Sequence, residues 1–359
     1  MKKFVFLFFI CGILSAQTLQ SQSLTWYEGT EAGLIGKLLP TENPYHRADT
    51  SRYAFEGHER NLVRCSAGLA LRFNTNSTSI YLAPKYGYMY KGISTSFLAS
   101  RGFDLYIKQN GKWLWAAAAG PSVGREDKPF NLIATMDGSE HECLLYLPMY
   151  SELQGLKIGL DKGATLVVPE NDFKYRIGVF GSSFTMGVST SRSGMSYPVQ
   201  FARRTGLQIL SIAASGQCKL QDSFARAIAD AQVDAMIFDT FSNPTIEMIQ
   251  ERLFPFIETV QATHPDIPLI FQRTIYREKR NFSLEANRIE ADRIAFVDSL
   301  MAIACKKYKN VYYIYPDATS PDHESSVDGV HPSNYGYTLW ERSIEKKVLR
   351  ILRRYGIRP

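Results

Sequence analysis

The feature that most constrains this chain is a change of pattern near residue 170, where short alternating apolar runs give way to strands separated by helix-length segments. Between about 24 and 168 the apolar residues come in runs such as Leu69-Ala-Leu-Arg-Phe73, Phe103-Asp-Leu-Tyr-Ile107, Trp113-Leu-Trp115, His141-Glu-Cys-Leu-Leu-Tyr-Leu147 and Ala164-Thr-Leu-Val-Val168. Gly, Asn, Asp and Pro punctuate them, and Asn110-Gly111 and Asp137-Gly138 read as hairpin turns. A period of two buries one face of each strand, so many short strands predict an antiparallel sandwich of the jelly-roll kind over residues 17–170. From 171 to 359 the pattern differs. Strands are expected at 176–180, 208–213, 235–240, 268–274 and 311–315, with helices near 197–205, 221–231, 245–263, 283–307 and 333–355. In the last of these Trp340, Ile344, Val348 and Ile351 recur every three or four residues, which turns one face toward a sheet. Alternating β and α elements predict a five-stranded parallel sheet covered on both sides. The joint falls at 169–174.

Residues 1–16 join Lys2 and Lys3 to an apolar run ending at Leu14 and then Ser15 and Ala16, the layout of a secretory signal peptide. The protein is therefore expected to be exported, to the periplasm or beyond. Phe8, Phe9 and Ile10 are bulky where a lipidation signal at Cys11 needs small residues, and no run approaches the roughly 20 residues of a membrane span. The net charge is +6, falling to +4 without Lys2 and Lys3, and the basic residues are dispersed. That argues against a nucleic-acid partner. Cys65, Cys143, Cys218 and Cys305 remain after export; a Cys65–Cys143 disulfide is possible, but buried free thiols are the favoured reading, and no pair has metal-ligand spacing.

The chemistry lies in the second half. Tyr175-Arg-Ile-Gly-Val-Phe-Gly-Ser-Ser-Phe-Thr-Met-Gly187 reads as a strand opening into a loop, which puts Ser183 at the carboxyl end of a strand, the usual address of α/β active sites. Far downstream, Asp328-Gly-Val-His331-Pro332 sets a carboxylate three residues before a histidine. At that spacing Asp328 can hold one imidazole nitrogen while the other faces Ser183, the logic of acyl transfer by a serine. Of six histidines, only His331 combines a nearby Asp, a following Pro and a place just before the final helix. These residues predict a serine esterase that needs neither cofactor nor metal.

Gly181-Ser182-Ser183-Phe184-Thr185 resembles the first block of the SGNH (GDSL-type) hydrolases, with Ser182 where the family usually carries Asp. Ser211-Ile-Ala-Ala-Ser-Gly216 resembles the second block, Asn243 of Phe238-Asp-Thr-Phe-Ser-Asn243 the third without its flanking Gly and Asp, and Asp328 with His331 the fourth. The resemblance covers roughly 174 to 355 and implies a flavodoxin-like doubly wound fold. It also implies an oxyanion hole made by the backbone N–H groups of Ser183 and Gly216 and the Asn243 amide. The stretch from Gly187 to Pro198 and the preceding sandwich are similar to family 2 carbohydrate esterases, so a glycan or small-molecule ester, O-acetyl above all, is the expected substrate. The alternative is an exported glycan-binding protein with an inactive hydrolase-like scaffold. Trp26, Trp113, Trp115, Tyr86, Tyr88 and Tyr90 could stack on sugars; Trp113 and Trp115 share a strand face and are expected in the core, while the tyrosines are the better candidate for an exposed ligand edge.

Overall fold

The computed structural model describes residues 23–359, so the signal-peptide reading of 1–16 lies outside the described residues. The first half contains strands β1 (Leu24–Glu28) and β2 (Gly33–Ile35), helix α1 (Gly57–Arg64), β3 (Ala70–Thr75), β4 (Ile80–Met89) and helix α2 (Phe97–Arg101). These are followed by β5 (Phe103–Gln109), β6 (Lys112–Ala119), β7 (Phe130–Ile133), β8 (His141–Tyr146) and β9 (Ser151–Asp161). They form two antiparallel sheets, β1-β9-β4-β7 and β2-β3-β8-β5-β6. Between the sheets Leu71, Phe73, Leu82, Leu105, Leu145, Ile158 and Leu160 are fully buried, each from an alternating position on its strand. The second half runs β10 (Arg176–Gly181), α3 (Ser183–Met186), α4 (Tyr197–Thr205), β11 (Gln208–Ala213), α5 (Asp222–Ala229), β12 (Ala235–Asp239) and α6 (Ile246–Thr263). It ends with β13 (Leu269–Gln272), α7 (Leu284–Lys307), β14 (Val311–Ile314) and α8 (Asn334–Arg354).

The parallel sheet has the order β11-β10-β12-β13-β14. Strand alternation divides its side chains between two cores. Ile177, Val179, Ile209, Ile237 and Ile270 face α4 and α8, where the rings of Tyr197 and Trp340 stack at 4.6 Å. Phe180, Leu210, Met236, Phe238 and Phe271 face α5, α6 and α7, with Phe238 stacked on Phe271 at 4.4 Å. The order of strand addition reverses at β10, with β11 laid on one side of it and β12 on the other, and such a switch opens a crevice at the carboxyl ends of the strands. Gly181 is in register with both Ala213 of β11 and Asp239 of β12, so the loops leaving all three strands start at one level.

The two halves share a core. Leu38, Leu39, Tyr53, Phe55, Leu62, Val63, Met149 and Tyr150 of the first half pack into the same cluster as Phe180 and Phe224 of the second, and Phe55 meets Phe224 at 4.9 Å. Arg47 is fully buried in this seam. It donates to the carbonyls of Cys65 at 2.7 Å, Leu62 at 2.5 Å and Ala213 at 2.9 Å. Burial lowers its pKa to about 10, and three carbonyl dipoles stand in for a counter-ion.

Several expectations are corrected. Asn110 and Gly111 both take positive φ in the two-residue β5–β6 hairpin, as predicted. Asp137-Gly138, by contrast, lies on a crossover from one sheet to the other, since β7 and β8 belong to different sheets; the Asp137 carboxylate accepts from the Ser139 N–H in a local Asx turn. Residues 164–168 form only a single bridge, Asn74 with Val167, rather than a strand. Trp115 is 54% exposed: it shares a face with Trp113 opposite Tyr106 and Lys108, and on edge strand β6 that face lies outside the sandwich core. Tyr86 is partly buried with its hydroxyl donating to the Arg101 carbonyl, and Tyr88 and Tyr90 pack on the shared core, so these tyrosines are not a free edge. All four described cysteines are free, and burial pushes the Cys65 and Cys143 thiols up to about 12.

Arg47→Met removes the donors to three buried carbonyls, two of them in the first half and one in the second. Stability should fall by roughly 3 kcal/mol, read from the urea midpoint at constant m; a loss below about 1 kcal/mol would contradict this account of the seam.

Candidate active site

Ser182 ends β10's extended backbone and caps α3, its hydroxyl accepting from the Phe184 N–H at 3.2 Å. Ser183 is therefore the first residue of the helix, and its N–H lies outside the helix's own hydrogen-bond ladder. Gly187 closes this one-turn helix in the left-handed region at φ 93°, where a Cβ would meet Ser196 and Met149. The turn that carries Ser183 is thus fixed at both ends by local geometry.

Asp328 and His331 approach on the loop before α8. Asp328 Oδ1 accepts from the backbone N–H groups of Val330 at 3.0 Å and His331 at 2.7 Å, folding the loop around Gly329 at φ 78°. Its other oxygen lies 2.8 Å from His331 Nδ1, and His331 Nε2 lies 3.0 Å from Ser183 Oγ. A carboxylate on Nδ1 requires a proton there, which leaves Nε2 as the acceptor for the serine hydroxyl. Burial works to raise the Asp328 pKa, but the hydrogen bonds from the His331 ring and backbone outweigh it and hold the carboxyl at about 2. Phe184 meets the imidazole edge-on at 5.5 Å, and Ser326 Oγ donates to the His331 carbonyl.

Gly216 stands exposed at φ 71° in the turn after β11, with open space around a hypothetical Cβ. Asn243 Oδ1 accepts from the Cys218 N–H at 3.3 Å, so its amide nitrogen is the end left to face outward. This tie joins the loops after β11 and β12. The Ser242 carbonyl next to Asn243 accepts from both Arg277 at 2.8 Å and Arg293 at 3.3 Å, and both guanidiniums are held by buried Glu290. Sequence reading missed these arginines, since nothing in their spacing links them to Asn243. The structure thus brings Ser183, His331 and Asp328 into one hydrogen-bonded chain, with Gly216 and Asn243 on adjoining loops.

The loop from Gly187 to Ser196 is held by the sandwich. Asp104, wholly buried on β5, accepts from Arg192 at 2.7 Å, the Gly194 N–H at 2.8 Å and Trp115 Nε1 at 3.0 Å. Arg192 also donates to the Tyr106 hydroxyl, and Arg203 lies 4.1 Å from the Tyr106 ring centroid. On the other side Asn334 and Ser191 exchange two hydrogen bonds. A groove of about 1120 Å³ opens beside the Gly216 turn between the two halves, lined among others by His58, Glu59, Gln217, Lys219, Gln221 and Arg252.

Residues 174–350 match the GDSL-like lipase/acylhydrolase family, and residues 24–166 match the GxDLY domain that forms the N-terminus of SGNH-hydrolase-type esterases. A Bacteroides ovatus structure described as a GDSL-like lipase is 35% identical, with TM-score 0.87, covering 92% of this chain and 98% of its own. The chain belongs to the SGNH (GDSL-like) hydrolases. Its Gly102-Phe-Asp-Leu-Tyr106 segment spells the motif for which the GxDLY domain is named, and Asp104 and Tyr106 of that motif are the residues that grip Arg192. The fold is also that of a salicylyl-acyltransferase from a tetracycline biosynthetic pathway, at 18% identity and TM-score 0.70 over 93% of this chain and 98% of that one. It is shared too with a family two carbohydrate esterase from Cellvibrio japonicus, at 12% identity and TM-score 0.62 over 93% and 99%. No curated protein matches the chain in sequence. Membership of this family makes the protein an ester hydrolase. Among the described residues no helix is long and apolar enough to cross a membrane.

A fluorophosphonate probe should modify the intact protein at Ser183, located by peptide mass spectrometry. In His331→Gln the labelling rate should drop by about 10³-fold or more; an adduct elsewhere, or an unchanged rate, would show that the hydroxyl is not activated by the imidazole.

Proposed function

We propose that this SGNH hydrolase is an exported serine esterase that removes acyl groups, acetyl foremost, from carbohydrate hydroxyls. The observation that carries the reading is the unbroken chain from Ser183 Oγ through His331 to Asp328, at 3.0 and 2.8 Å. In this mechanism His331 Nε2 takes the proton as Ser183 Oγ attacks the acyl carbon. The imidazolium is stabilised by Asp328, which stays ionised far below neutral pH. Charge on the acyl oxygen is met by the N–H groups of Ser183 and Gly216 and by the Asn243 amide. Collapse expels the sugar alkoxide, which takes the proton from His331, and water repeats the sequence to release the acid and restore Ser183. Each oxyanion donor is typically worth about 3 kcal/mol of barrier.

A carbohydrate alcohol is supported by the groove beside Gly216. Its wall carries charges of both signs and amides, among them Arg52, Glu59, Gln217, Lys219 and Gln221, beside the apolar Leu220 and Phe256, a mixture that suits a polyhydroxylated chain better than an alkyl tail. The fold likeness to family two carbohydrate esterases points the same way. An inactive glycan-binding scaffold is the alternative, and it predicts that a fluorophosphonate probe leaves Ser183 unlabelled.

The deciding experiment is Ser183→Ala assayed on acetylated sugars and nitrophenyl acetate. Turnover should fall by about 10⁶-fold, and persistence of full activity would rule the nucleophile out. Because Asp328 is held at about 2 and stays ionised near neutrality, Asp328→Asn should lower kcat by a similar factor at every pH from about 5 to 8, and an effect confined to one end of that range would oppose the assignment. For the groove, Lys219→Ala should raise KM for acetylated oligosaccharides about five-fold while leaving nitrophenyl acetate unaffected. Equal effects on both substrates would place the sugar elsewhere.

A further inference from the structure

One carboxylate at the catalytic end takes no part in the Ser183–His331–Asp328 chain. Asp239 ends β12, is 2% exposed, and lies directly beneath the nucleophile turn. One of its oxygens accepts three hydrogen bonds from that turn: the Ser182 N–H at 3.3 Å, the Ser182 hydroxyl at 2.8 Å and the Thr185 hydroxyl at 3.1 Å. Ser182 and Thr185 flank Ser183, and Ser182 in turn caps the helix on which Ser183 sits. A Cβ on Gly181 would strike Thr185 and Asp239, so the strand end and the carboxylate are in close contact. A burial of this kind is disfavoured for a charge unless the site uses it.

We propose that Asp239 is a positioning residue for the nucleophile. Its charge gathers the two residues that bracket Ser183 and so fixes the direction of the Ser183 hydroxyl toward His331 and of its N–H toward the acyl oxygen. The proposal rests on Ser183 being the nucleophile. Other groups near the carboxylate are Tyr197 of α4, Cys218 after β11 and Arg277 after β13. Burial raises the Asp239 pKa to about 6, opposed by the Ser182 and Thr185 hydrogen bonds and by Arg277; the Ser182 N–H can only donate, so the oxygen it meets must be an acceptor.

Geometry also supplies a reciprocal test. Ser182 Oγ sits 2.8 Å from the Asp239 oxygen, so a carboxylate carried by residue 182 would fall in the same space, and Asp caps a helix as well as Ser does. Asp239→Asn keeps the size of the side chain and an oxygen that can accept from the three donors, but removes the charge. Its kcat on nitrophenyl acetate should fall by about 10²-fold with KM within two-fold, and fluorophosphonate labelling of Ser183 should slow by a similar factor. Adding Ser182→Asp to that variant should recover about ten-fold or more of both rates. Should Asp239→Asn fail to fold, Thr185→Val, which deletes one donor and leaves the charge, should lower kcat about five-fold.

Wild-type kcat per labelled site in Asp239→Asn, or in Thr185→Val where only that protein is obtained, would overturn the proposal, as would a loss of rate that the second carboxylate does not recover. Failure of the wild-type protein to label at Ser183 would instead overturn the catalytic reading on which it rests.

Discussion

The carboxylate of Asp104 sets the relation between the two halves of this esterase. It is wholly removed from water, which alone would raise its pKa, and it is stabilised there only because Arg192, the Gly194 N–H and Trp115 converge on it. A buried carboxylate deprived of such partners costs several kcal/mol. The loop that leaves the nucleophile helix is therefore held in one place by a strand of the other sheet system. Through Ser191 and Asn334 the same loop touches the start of α8, just beyond His331. Two of the three approaches to Ser183 are in this way referred to the sandwich.

The same economy recurs on the third approach. Asn243 is tethered at its side chain by Cys218 and at its preceding carbonyl by Arg277 and Arg293, both anchored on Glu290 of α7. The segment after Arg277 also meets the histidine loop, since the Lys279 N–H donates to the Gly329 carbonyl. The geometry of the candidate site thus arises from short irregular loops whose directions are fixed by buried polar contacts, while the sheet beneath fixes only where those loops begin.

How much of this could be read from the chain follows from the range of each interaction. Periodicity is local, so the five parallel strands and their helices were legible, as were Ser183, Asp328 and His331 from strand-end placement and three-residue spacing. The Asn110-Gly111 turn was legible for the same reason. Asp137-Gly138 misled because a turn signal does not say which sheet receives the next strand. Trp115 misled because the face it does share with Trp113 is the outer one of an edge strand and not the one turned to the sandwich core. Asp239 and Asp104 were invisible as working groups because their partners are distant in sequence, and only a charge inside an otherwise apolar strand hinted at them. Gly216 and Asn243 were reached through family resemblance, and their local spacing carries no sign of the role.

The seam has a consequence for how such proteins can change. Phe55 against Phe224, with Leu38, Tyr150 and the Arg47 guanidinium around them, makes the boundary an interior rather than a contact between finished surfaces. Neither half can be grafted, shuffled or truncated as a cassette without baring that interior to solvent. Inheritance of the front and back halves is accordingly coupled: substitutions along the seam have to be matched across it, and new substrate preferences must arise from the loops at the rim rather than by exchange of the sandwich.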